Sequence, residues 1–440
     1  MIKKFILYLT LLLFNLIQSI EIIIQFNSTL SEIPKNLTPI DFISSLVNNE
    51  IHTNINLGTP SQNLDFLIDF NFYHTYIIKD NNNKKNYKRF NYNSSSTFNY
   101  LGKKEYFSGS DFFYAINSSD IANINKNFTN FNYTFLHVVD ITQSLPIKYP
   151  GIIGFGVVPN VNPFLFEAGL IYQLKNKNIT NNYIYSLVYN KNDFNGKIII
   201  EKNIYENYSI DNLMKDYCII TLDYNYFWGW NYINSFLDFE ELGINILYFK
   251  PELGVIIVNI KIMDILKNKF FDEKIKEGKC FQDFKQYSFF YCEKNVKIDV
   301  GKFIFQRKNK DIEFIIDSND LIFEYNNKIF FLMVFNVHLS NEAYLGYPFF
   351  KKFDVIFNQG DRNVGFYKII KNEEDTNDKD NKTDEKGNYN KKKILIKILF
   401  PIFIVLFILI VLYFIFYIFR KSKKISNERL SDSLNYQIND

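Results

Sequence analysis

Short runs rich in Ile, Phe, Tyr and Val recur along most of this chain, and nearly all have the length of a β-strand: "IHTNINLG", "LDFLIDF", "YTFLHVVDI", "GKIIIE", "YCIITLDY", "LGVIIVNI", "IEFII", "FDVIFN" and "NVGFYKII". Asn, Asp and Gly separate them. Strand-length apolar runs bounded by such breakers predict an all-β fold. The clearest helical stretch is 263–280, "MDILKNKFFDEKIKEGKC", with Asp264 as its expected cap and Gly278 just past its end. At 440 residues the chain has room for two sizeable cores. A net charge of +3 gives no basic footprint for nucleic acid.

The two ends place that β-rich body. Residues 1–19 have a basic start, an apolar run and a small or polar finish, the pattern of a signal peptide. Residues 394–419 are apolar except for Lys397. That length crosses a hydrocarbon core about 30 Å thick as a helix. "RKSKK" at 420–424 follows it and fits a cytosolic side, leaving a cytoplasmic tail at 420–440. Residues 371–393 are almost wholly polar and charged and read as a disordered stalk. The expected topology is a single-pass type I membrane protein of the secretory pathway or cell surface, its ectodomain lumenal or extracellular. Acceptor sequons agree: Asn27, Asn36, Asn93, Asn117, Asn127, Asn132, Asn178, Asn207 and Asn381 all precede the apolar span. Of three cysteines, Cys280 and Cys292 are the short-loop disulfide candidates, and Cys218 is left over in an apolar run.

A two-fold echo runs through the ectodomain. An apolar strand ends in a polar residue at "FLID" (66–69) and again at "IIVN" (256–259). Two β-rich lobes, 40–200 and 201–370, each presenting one side chain at a strand end, suggest a bilobed enzyme with a central cleft.

Read in order, the motifs resemble the pepsin-like aspartic proteases (peptidase family A1). "INLGTPSQNLDFLID" is similar to that family's first-lobe opening, and "SSSTF" (94–98) to the Ser-rich segment after it. "EYFSGSDFFYAINSSD" (105–120) resembles the flap, with Tyr106 at the flap tyrosine position. "GIIGFG" (151–156) resembles the strand behind the first aspartate. "NGKIIIE" (195–201) and "YNYFWGWNYI" (224–233) resemble the inter-lobe region, and "YLGYPFFKKFDVIFNQGDRNVGFYK" (344–368) the family's ending. The resemblance also supports the Cys280–Cys292 pairing.

The catalytic signature departs from the family. Its members place Asp-Thr-Gly in each lobe, and the two carboxyls share one proton because like charges so close cannot both ionise. One activates water while the other, protonated, polarises the peptide carbonyl. Here the first lobe gives Asp69-Phe70-Asn71. In the second lobe Asn259 is the preferred counterpart, because it follows the best apolar strand and lies most of a lobe before Tyr344. Asp264 is the alternative partner. Asp317 in "FIIDSND" is too close to the Leu-Gly strand. None is followed by Thr-Gly or Ser-Gly. An amide facing Asp69 donates a hydrogen bond but exchanges no proton, and Lys261 is expected near the pair.

His52, His74, His137 and His338 are scattered without metal-ligand spacing, and no phosphate-cradling glycine loop occurs, so no metal or cofactor is expected. The expected function is a membrane-anchored, catalytically impaired aspartyl-protease-like protein that binds an extended peptide or partner protein in its cleft. The alternatives are an acid-active endopeptidase using Asp69 with Asp264, and a structural surface glycoprotein.

Overall fold

The computed structural model describes residues 22–78, 89–107, 113–124, 130–141, 148–157, 169–190, 193–200, 218–219, 228–231, 233–307, 313–360 and 363–368. All lie in the first of two compact units, Met1–Ile370. The expected signal peptide (1–19), charged stalk (371–393), apolar span (394–419) and cytoplasmic tail (420–440) fall outside the described residues. Among the described residues no helix is long and apolar enough to cross a membrane.

The first half of this unit runs through β1 (Ile22–Ser28), α1 (Pro39–Val47), β2 (Ile51–Leu57), β3 (Gln62–Asp69), β4 (Tyr76–Ile78), β5 (Asn99–Phe107), β6 (Phe113–Asn123), β7 (Phe131–Ile141), β8 (Gly151–Gly154), α2 (Leu170–Asn176), β9 (Ile184–Tyr189) and β10 (Gly196–Ile200). Period-two alternation sets the faces. On β3, Leu64, Phe66 and Ile68 are buried while Asp65, Leu67 and Asp69 lie on the other, half-buried face. β8 runs parallel to β3 and antiparallel to β4, and β4 runs parallel to β7. Gly151 makes that fit possible: a Cβ there would stand 2.6 Å from both the Phe66 ring and the Tyr76 carbonyl.

The second half comprises β11 (Cys218–Ile219), β12 (Gly229–Asn231), β13 (Ile233–Leu237), β14 (Glu240–Glu241), β15 (Ile246–Phe249), β16 (Ile256–Asn259), α3 (Ile260–Leu266), α4 (Asp272–Lys276), β17 (Cys280–Phe284), β18 (Ser288–Glu293), β19 (Lys302–Arg307), β20 (Glu313–Asp317), β21 (Ile322–Tyr325), β22 (Lys328–Phe331), β23 (Met333–Asn336), β24 (Glu342–Leu345), α5 (Tyr347–Lys352), β25 (Phe353–Asn358) and β26 (Asn363–Lys368). The expected helix therefore starts earlier than its apolar periodicity suggested. Asn259 caps it, its Oδ1 accepting from the Lys261 N–H at 2.7 Å, and Asp264 lies inside it. A π-turn over Lys267–Phe271 joins α3 to α4, and Gly278 takes positive φ just beyond.

The two halves share a sheet and a core. β25 of the second half pairs with β9 of the first, Val355 opposite Leu187, in one sheet that runs on through β10, β1, β2 and β3. The Trp228 indole N–H donates to the Phe155 carbonyl at 3.0 Å, and Phe357 stacks on Tyr185. From the other side, Phe42 of α1 stacks on Tyr325 with ring centroids 4.1 Å apart and packs at a tilt against Phe330 at 4.5 Å. Cys280 and Cys292 face each other across β17 and β18 and are disulfide-bonded, as expected.

Candidate active site

Asp69 ends β3, directly opposite Gly154 of β8. Its Oδ1 accepts from the Asn71 N–H at 2.6 Å and the Phe72 N–H at 3.3 Å. The carboxylate therefore closes the turn that follows the strand, and the short side chain is held by the backbone beneath it. Phe70 turns the other way. It is 1% exposed, with its ring about 6 Å from those of Phe155 and Phe357. An aromatic anchor in the core thus replaces a hydroxyl that would reach across the site. Gly154 is compulsory, because a Cβ would meet the Phe72 and His74 carbonyls at 2.5 Å.

The strand register identifies the counterpart in the second half. β15 runs parallel to β24, with Phe249 opposite Leu345, so the next pair along is Lys250 and Gly346. β24 is antiparallel to β16, with Ile257 opposite Tyr344. β16 is in turn parallel to β23. The first half repeats this arrangement strand for strand: β3 with β8, β8 with β4, β4 with β7. The offsets agree. Tyr76, seven residues after Asp69, pairs with the residue two before Gly154. Ile257, seven after Lys250, pairs with the residue two before Gly346. Gly346 is also crowded by the Leu253 and Val255 carbonyls, as Gly154 is by those of Phe72 and His74. The residue equivalent to Asp69 is Lys250, and Phe70-Asn71 corresponds to Pro251-Glu252.

This corrects the assignment of Asn259, which corresponds to Ile78 at the far end of the next strand. Asn259 is 7% exposed and fully engaged elsewhere: its Nδ2 donates to the Leu339 and Ser340 carbonyls while its Oδ1 caps α3. Asp264 and Lys261 are exposed on α3, so neither takes the partner position. Asp317 pairs with Lys352 alongside Asp320.

Four polar side chains meet where the halves join. The Lys250 ammonium donates to Asn71 Oδ1, linking the two equivalent turns. Glu252 lies close enough to Asp69 and Lys250 to feel both charges, with the Asn71 carboxamide beside it. Burial is the largest influence on Glu252 and raises its pKa above the ordinary carboxylate range; Lys250 opposes that rise and Asp69 adds to it. Its Oε2 is sealed from solvent with no hydrogen-bond partner. First-half residues pin the second turn from behind: Tyr189 Oη donates to the Pro251 carbonyl, Asn49 Nδ2 to the Glu252 carbonyl at 2.7 Å, and the Gly254 N–H to the Leu46 carbonyl at 2.8 Å.

Tyr106 lies on β5 opposite Tyr114 in the ladder. Cys218 lies on β11 opposite Val364. His52 hydrogen-bonds Asp65 at 2.7 Å, His137 is buried against Tyr92 and Phe98, and His338 is exposed. No group of three or more His, Cys, Asp or Glu among the described residues is disposed to hold a metal ion. Asn27, Asn36, Asn93, Asn132 and Asn178 are exposed, while Asn117 is half-buried. Asn127, Asn207 and Asn381 fall outside the described residues.

A twice-used arrangement of parallel and antiparallel strands, with one polar side chain at each equivalent strand end, is an all-β, pepsin-like architecture. A family model described as eukaryotic aspartyl protease matches residues 50–220, so the chain carries a pepsin-like aspartyl protease family domain. The match includes Asp69 and ends before Lys250. No curated protein matches the chain.

Proposed function

We propose that this protein is a catalytically impaired pepsin-like protein that keeps the family's cleft for binding an extended peptide or a partner protein, on a membrane anchor formed by residues 394–419. The observation that carries the reading is the register that pairs Lys250 with Gly346 as Asp69 pairs with Gly154. Peptide hydrolysis by a carboxyl dyad needs one protonated and one ionised carboxyl at the same water. A lysine ammonium is a donor only and cannot share a proton with Asp69 in that way. Loss of one general acid or base costs about 10²–10⁴-fold in rate, and the missing hydroxyls at Phe70 and Pro251 add positional error. The test is cleavage of denatured protein at acid pH by the purified chain, beside Asp69→Ala. The reading requires no difference between the two.

A second reading keeps an enzyme. Glu252 supplies a buried carboxyl with a raised pKa close to Asp69, which makes it, rather than Asp264, the acid of any surviving activity. Acid-pH cleavage abolished by Glu252→Gln and unchanged by Asp264→Asn supports that reading.

A further inference from the structure

The cluster at the junction does more than displace a dyad, because it ties the two halves together through groups that respond differently to protons. We propose that Glu252 is a proton-operated latch between the two halves, loose when its carboxylate is ionised and closed when it is protonated. The argument begins with position. Glu252 and Asn71 occupy equivalent places in the two repeated turns, so a contact between them is a contact between the halves. Lys250 adds a second link, to Asn71 Oδ1. The remaining fastenings of the second turn, from Tyr189, Asn49 and Leu46, also come from the first half. A change at Glu252 is therefore felt along the whole junction.

The titratable groups that face Glu252 come from three elements. Lys250 lies on its own turn, Asp69 at the end of β3, and the Tyr189 phenol on β9. Asn71 and Asn49 contribute neutral amides. With Glu252 ionised, its carboxylate is favoured by the Lys250 ammonium and disfavoured by the Asp69 charge, and one of its oxygens is enclosed with no hydrogen-bond partner. Such a group costs stability unless it is paired. Protonation removes the repulsion from Asp69 and leaves the Lys250 ammonium to Asn71. It also lets the buried carboxyl donate to a neighbouring oxygen.

The direction of the pH effect follows. The Glu252 pKa is raised on folding, chiefly by burial. Its stabilising contribution is fully present below the ordinary glutamate range and is lost as pH rises through the raised folded value. The junction is thus tightest in an acidic compartment and loosens toward neutrality.

The experiment is the melting temperature of the purified full chain across the acid-to-neutral range, for wild type, Glu252→Gln and the exposed control Asp264→Asn. Wild type and Asp264→Asn are expected to lose about 2–4 °C on passing from acid to neutral pH. Glu252→Gln, a fixed neutral mimic, is expected to lose that slope. A wild-type slope that survives in Glu252→Gln overturns the latch. Because that variant can fail to fold, amide exchange of wild type, corrected for intrinsic rate, gives a second readout. Protection at residues 70–73 and 250–254 should rise on acidification, and pH-independent protection there overturns the proposal. Neither readout involves cleavage, so the latch and the impaired-enzyme reading fail separately.

Discussion

The ammonium of Lys250 donates to the side-chain oxygen of Asn71, joining two turns that are equivalent in the internal repeat. Asn71 stands two residues after Asp69, and Lys250 stands where the repeat calls for Asp69's partner. The second-half strand end thus presents an ammonium and not a carboxyl.

Restoring the acid alone should not restore catalysis. Lys250→Asp returns a carboxyl to the register position, but Phe70 remains anchored between Phe155 and Phe357, and Pro251 offers no hydroxyl. With Asp69 and Glu252 the new carboxyl makes three acids in one site, where Lys250 had supplied an ammonium. Misplacement by about 1 Å costs roughly 10² in rate. The expected outcome is a Lys250→Asp rate at least 10²-fold below an active pepsin-like enzyme assayed in parallel, with a lowered denaturation midpoint. A rate matching that enzyme would show that the buttressing groups are dispensable.

Lys250 and Glu252 should be energetically coupled. Lys250→Met removes the ammonium whose charge favours ionised Glu252 and should cost about 1–3 kcal/mol in denaturant unfolding. Adding Glu252→Gln should recover part of that loss, since it deletes a charge left without its partner. A double-mutant cycle with a coupling near zero would place the two side chains in separate environments.

Asn259 is structural. Asn259→Asp keeps the Lys261 N–H cap but turns a carboxylate toward the Leu339 and Ser340 carbonyls, which now receive the amide. It should destabilise by about 1–3 kcal/mol and produce no peptidase. Gain of acid-pH cleavage in this variant would return Asn259 to the site.

The Cys280–Cys292 link closes a short loop between paired strands and should be worth about 3 kcal/mol in the chain-entropy model. Mass spectrometry of non-reduced digests should recover this pair and leave Cys218 unlinked to either. Cys280→Ser with Cys292→Ser should lower the unfolding free energy by a similar amount.

Glycan mapping of protein from a eukaryotic secretory host tests the topology. Exposed Asn27, Asn36, Asn93, Asn132 and Asn178 are expected to carry glycan. Asn117 should not, since it is half-buried with its Oδ1 enclosed. Complete absence of glycan would contradict a lumenal or extracellular ectodomain.

Much of the first half was legible in the sequence because its motifs carry chemistry as well as pattern. Asp69 is an acid at the end of an alternating strand, and "GIIGFG" has glycines where strand, turn and carbonyls crowd together. The disulfide was readable from loop length. The second half conceals its counterpart because its most apolar strand ends in an amide: "IIVN" looks like "FLID" in pattern but repeats "TYII" in register. The usable signal is spacing: "FLID" precedes "TYII" by the same interval at which "LYFK" precedes "IIVN". Lys250 is hard to recognise because a cation ends the strand, and Pro251-Glu252 bears no likeness to Thr-Gly. The helix start is equally hidden, since Asn259 at a strand end has the look of a site residue and serves as a cap.

The most direct test of the central claim is an experimental structure of the chain read at one place, the side chain that meets the Asp69 turn from the second half. The account predicts the Lys250 ammonium bonded to Asn71, with Asn259 turned to the Leu339 and Ser340 carbonyls. An Asn259 carboxamide or an Asp264 carboxyl facing Asp69, with Lys250 in solvent, would contradict it.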